Sequence, residues 1–150
     1  MRKNKKMSEI NKKSLLFAII LGILAWFWAF MIVGSAFFDY STNEVIEDPD
    51  IGLYISMLIV NAIISIVIFA LYIWKYEQEN PIIANNWVLD AIVLGMIICG
   101  MNFLFDALFF GMMGRNLIAF FWFETTTGYF YPAIILETYL IAYFIYGKNK

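Results

Sequence analysis

The stretch LLFAIILGILAWFWAFMIVGSAFF, residues 15–38, contains 24 residues and no charge. A helix needs about 20 apolar residues to cross the hydrocarbon of a bilayer, so this run suffices with margin for tilt. A basic head precedes it, and Gly34-Ser35-Ala36 resembles a cleavage site. The apolar core of a signal peptide is shorter, roughly 7–15 residues. This run is also rich in bulky rings at Trp26, Phe27, Trp28 and Phe30. It reads as a retained first span.

Three further runs follow. Residues 51–74, IGLYISMLIVNAIISIVIFALYIW, are again uncharged. Residues 87–110 carry Asp90 near their start and Asp106 near their end, and residues 129–146 carry Glu137. Backbone amides and carbonyls in hydrocarbon must bond within their own segment, which makes each run a helix. Composition agrees. Of 150 residues, 63% are hydrophobic, and the mean hydropathy is +0.76. Soluble domains run about 45–50% apolar even when glycine is counted. The expected fold is an all-α integral membrane protein, one domain over residues 1–150, forming a four-transmembrane-helix bundle.

Lysine and arginine in short loops set orientation. Arg2, Lys3, Lys5, Lys6, Lys12, Lys13, Lys75, Lys148 and Lys150 would share one side, leaving only Arg115 on the other. That bias places both termini in the cytoplasm, at the cell membrane. The first connection, DYSTNEVIEDPD, holds Asp39, Glu44, Glu47, Asp48 and Asp50 and would face outward. It reads as a solvated turn ending near Pro49, since its spacing is not that of an EF-hand loop.

Between the third and fourth runs, Asn116–Phe123 is apolar but too short to cross. It is expected to lie at the interface or to re-enter the bilayer. Trp122, Tyr129 and Tyr131 suit the headgroup level. Pro132 fits the first turn of the fourth helix, where its missing amide proton costs little.

Several chemistries are excluded. One cysteine and no histidine rule out an internal disulfide, a histidine-ligated haem or zinc, and an imidazole base. No cofactor and no metal are expected. A net charge of −2 without a basic tract beyond the head gives no expectation of a nucleic-acid partner. No GxSxG, HExxH or Walker A pattern occurs, so the balance leans away from an enzyme. Cys99 reads as a small packing residue. Asp90 reads as a charge in headgroup water at a helix N-terminus.

Two helix faces stand out. Ala18, Gly22, Ala25 and Ala29 recur at spacings of four, three and four, making a stripe that lets another helix approach closely. Packing within the chain or pairing with a second copy would both use it. On the third run, Ala91, Gly95, Cys99, Asn102 and Asp106 share a face. Asn61 lies on the second run and Glu137 on the fourth. At about 1.5 Å per residue, Asn61, Asn102 and Glu137 fall within about 5 Å of their helix centres, with Asp106 about 10 Å outward.

An ionised carboxylate at the bilayer centre costs roughly 2.5–3.5 kcal/mol on insertion scales. Glu137 is therefore protonated, paired with a cation, or hydrated. Arg115 is the nearest basic residue in depth, and it would have to fold back to reach Asp106. Three functional readings follow. A structural or accessory helical membrane protein would use Glu137 as a hydrogen bond to Asn102 or Asn61 that fixes helix register. A proton- or cation-coupled transporter or channel would use Glu137, Asn102, Asn61 and Asp106 as its site. A lipid-handling membrane enzyme would use the same carboxylates at a membrane face. The partners expected are membrane lipids and a second copy or a larger membrane complex.

Overall fold

The computed structural model describes residues 10–46, 48, 50–124 and 127–147, with Glu124 as backbone only. Arg2, Lys3, Lys5, Lys6, Glu47, Pro49, Lys148 and Lys150 lie outside the described residues.

Polar residues at the edges of the apolar runs start the helices. Helix α1 (Lys12–Val33) begins where Asn11 Oδ1 accepts from the amides of Lys13 and Ser14 at 3.1 and 3.3 Å. These bonds satisfy amides that a first turn leaves free. Helix α2 (Ile51–Tyr72) is capped by Asp50, which accepts from the Leu53 amide at 2.7 Å. Helix α3 (Trp87–Met112) is capped by Asn86 through the Leu89 amide at 3.2 Å. A π-helical turn, Ile73–Glu77, extends α2.

The short helix α4 (Leu117–Ala119) runs into a second π turn, Phe120–Glu124. A 3-10 turn, Thr127–Tyr129, leads into α5 (Phe130–Tyr146), which holds Pro132 in its first turn. Strands β1 (Phe38–Asp39) and β2 (Glu44–Val45) form a two-stranded antiparallel hairpin between α1 and α2.

The helices alternate in direction. At one end the Asn11 amide donates to Ile82 O at 3.0 Å, Ile10 bridges Ile83, and Tyr146 Oη donates to Ile73 O at 2.6 Å. The start of α1, the α2–α3 connection and the end of α5 therefore meet there. The hairpin and α4 occupy the opposite end. The result is an up-down-up-down all-α bundle. Four of its helical segments, Lys12–Ala36, Ile51–Glu77, Trp87–Met112 and Thr127–Tyr146, are long and apolar enough to cross a membrane.

Helix α3 is central and packs most extensively on α5 and α1. Small residues permit this. A Cβ on Gly22 of α1 would stand 2.9 Å from Met101 Cβ and 3.3 Å from Ile98 Cα of α3. A Cβ on Gly95 would collide with Thr138 Oγ1 and stand 2.8 Å from Ile135 Cα of α5. The stripe of Ala18, Gly22 and Ala25 is thus buried inside the chain against α3, with Ala29 half-buried beyond it. Ala18, Phe69, Ile73, Leu94, Ile98 and Ala142 fill the core of the half that holds the start of α1 and the end of α5. Large apolar side chains such as Phe27, Ile63, Met96 and Phe144 point outward instead, each more than half exposed.

Asp90 departs from the expectation of headgroup water. It is 5% exposed and accepts from the Ile83 amide at 2.7 Å. It lies beside Glu77, which is itself buried. The fold draws Asp90 inward because it ties the returning chain to the first turn of α3.

Candidate functional site

Between α1, α2, α3 and α5 lies a cavity of about 220 Å³. Asn61, Asn102, Asp106 and Glu137 all line it, from α2, α3 and α5, together with Ser65. Each of the four projects there because helical periodicity places it on the inward face of its helix. The walls are mostly aromatic, with Trp26, Phe30, Phe69, Phe121 and Tyr131 among them. The cavity lies toward the end of the bundle that carries the hairpin and α4, since Phe38, Phe120 and Thr127 also line it. The core around Leu94, Ile73 and Ala142 fills the bundle toward the other end.

The polar groups are held differently. Asp106 is fixed on both oxygens: Trp26 Nε1 donates to Oδ1 at 2.7 Å and Tyr131 Oη to Oδ2 at 2.5 Å. Arg115 is not its partner, because the guanidinium stands over the Phe120 ring, 6.0 Å from its centre. Tyr131 is likewise not a headgroup anchor. It is 7% exposed and turned inward by its bond to Asp106. Asn102 is buried and spends its amide protons on backbone, with Nδ2 donating to Ile98 O at 2.8 Å and to Gly22 O at 3.4 Å. Ser65 Oγ accepts from Trp28 Nε1 at 3.3 Å.

Glu137 Oε1 and Asn61 Oδ1 differ from these. Both atoms are buried and neither has a hydrogen-bond partner. The register-fixing bond expected of Glu137 belongs instead to its neighbour. Thr138 Oγ1 bonds Ala91 O across to α3 at 3.2 Å. Buried polar atoms in folded proteins are nearly always paired, and an orphan costs about 1–3 kcal/mol. Two orphan acceptors in one cavity are therefore the feature of this site that packing does not explain.

The aromatic segment before α5 closes over this region. Asn116 Oδ1 caps α4 through the Ala119 amide at 3.3 Å. Phe120 and Phe121 then turn into the bundle, at 4% and 1% exposed, while Ile118 and Phe123 point away from it. Sequence reasoning missed Trp26, Phe121 and Tyr131 as site residues. The signal available was spacing, since Trp26 follows Gly22 by four residues on one side of α1.

Among the described residues no group of three acidic or cysteine side chains could hold a metal ion. Lysine and arginine are absent from the described cavity lining. Compared with known proteins, the chain matches no family model, no curated protein and no solved structure.

Proposed function

We propose that this chain is a four-span protein of the cell membrane, with both termini in the cytoplasm, that takes a small ligand into the intrabundle cavity with Glu137 as its ion-linked group. The pairing of Glu137 Oε1 with Asn61 Oδ1 as unpartnered buried acceptors carries this reading. What sets these two oxygens apart from other unpartnered buried atoms, such as Glu77 Oε1, is that both residues line the cavity. Insertion in a bilayer accounts for the outward-facing apolar side chains, which would be a large sticky surface in water. The lysine and arginine bias supports the orientation, and the cavity then faces outward.

In this scheme Glu137 exchanges a proton for a ligand, and Asn61 orients that ligand. Asp106, braced by Trp26 and Tyr131, supplies negative field at the outer part of the cavity. Coupled uptake or export follows if the occupied cavity can open to the other side. An accessory role in a larger complex is the second reading, favoured by the long exposed face of α2, where Ile55, Ile59, Ile63 and Ile66 are all about half exposed or more.

The test is difference infrared spectroscopy of the protein in liposomes, wild type against Glu137→Gln, across pH with and without added cations. A Glu137 carboxyl band that titrates and responds to cations supports the ligand site. A band that stays protonated and silent throughout returns Glu137 to a structural role.

A further inference from the structure

We infer that the ligand suited to this cavity is a small protonated primary or secondary amine with an apolar body of about one ring. This rests on the cavity being a ligand site and narrows that reading to one chemical class.

The donor and acceptor inventory decides the class. The free polar atoms, Glu137 Oε1 and Asn61 Oδ1, are both acceptors. Asn102 has already committed its amide protons, and the Asp106 oxygens already receive Trp26 and Tyr131. The ligand must therefore bring hydrogens to donate. It should also bring positive charge, because two carboxyl groups line the cavity and no described lining residue is basic. An anion would meet two carboxyl groups and no basic side chain among the described lining residues. A neutral apolar molecule would leave both orphans unpaired.

The walls separate an organic cation from a metal ion. Hard divalent metals take six to eight oxygens, or octahedral water, in a rigid shell. Here the oxygens are few and the surroundings are indole, phenyl and phenol rings. Aromatic faces attract a cation through the ring quadrupole and also accept an apolar body. A quaternary ammonium would suit the rings but has no N–H for the two orphan oxygens. A primary or secondary ammonium carries N–H donors as well as the charge. Size sets the last limit, since about 220 Å³ is below the roughly 300–1,000 Å³ of drug-sized sites.

The experiment is calorimetric titration of the full chain in lipid nanodiscs with benzylammonium, benzyl alcohol and benzyltrimethylammonium, with empty nanodiscs as the partition baseline. Saturable benzylammonium binding, about ten- to hundredfold tighter than the other two, is expected from a charge-assisted hydrogen bond. Glu137→Gln should remove most of that preference. Asn61→Leu, which keeps volume but deletes the second acceptor, should reduce it and serves if Glu137→Gln does not fold. Equal binding of the amine and the alcohol overturns the amine assignment while leaving a ligand cavity. Equal binding of the primary and quaternary ions overturns the need for an N–H donor. No binding of any probe to folded wild type overturns both this inference and the reading it rests on.

Discussion

Two acidic residues of this chain show how surroundings decide what a carboxyl does. Asp39 sits in the open hairpin, where the Ser41 hydroxyl and amide donate to Oδ1 at 2.6 and 2.8 Å. Those donors favour the charged form and hold its pKa below the ordinary carboxylate value. The sign follows from linkage. A depressed pKa stabilises the folded hairpin fully above the ordinary value, and that contribution is lost as pH falls through the lowered one. Ser41→Ala should move the Asp39 titration upward toward the ordinary range, read by carboxyl-carbon NMR. An unchanged titration would show that the backbone donors alone set it. Glu137 has no such donor on Oε1, which is buried without a partner where the Asp39 carboxyl is already engaged.

At the level of elements, α3 holds the bundle together through close approach more than through hydrogen bonding. Gly95 lies against α5 so tightly that any Cβ meets Thr138 and the Ile135 backbone. Overpacking of that kind typically costs about 1–3 kcal/mol. The Thr138 bond to Ala91 O crosses the same interface, but polar contacts between membrane helices average about 0.6 kcal/mol. Gly95→Ala should therefore destabilise the bundle more than Thr138→Val does, measured by unfolding in mixed micelles. The reverse order would mean that the hydrogen bond, not the packing, holds α3 to α5. The same logic explains the α1 stripe. Its small residues serve α3 inside the chain, so a second copy would have to use another face.

For the whole molecule, the up-down-up-down arrangement makes orientation a single choice. The hairpin and α4 share one end, and the α2–α3 connection shares the other with the start of α1 and the end of α5. In a Cys99→Ala background, a cysteine at Ser41 should react with a membrane-impermeant maleimide added to intact cells. A cysteine at Glu79 should react only after permeabilisation. Labelling of Glu79 from outside would invert the topology and turn the cavity mouth toward the cytoplasm. Both positions are exposed in the fold, so access through the protein does not limit either reaction.

The helices were legible in the sequence because length without charge has few other outcomes in hydrocarbon, whereas the caps at Asn11, Asp50 and Asn86 came only with the structure. Glu137, Asn102 and Asn61 were legible as polar residues at comparable depths, with Asp106 farther outward. Periodicity gives a face and a height, but not which neighbour a side chain meets. Only the tertiary structure decided that Asp106 is braced by Trp26 and Tyr131 instead of Arg115. It also decided that Thr138 carries the interhelical bond, and that Asp90 is buried on the Ile83 amide rather than facing water. The Asp106 and Thr138 contacts join residues distant along the chain, and their partners are chosen by how four helices pack, which no local pattern encodes.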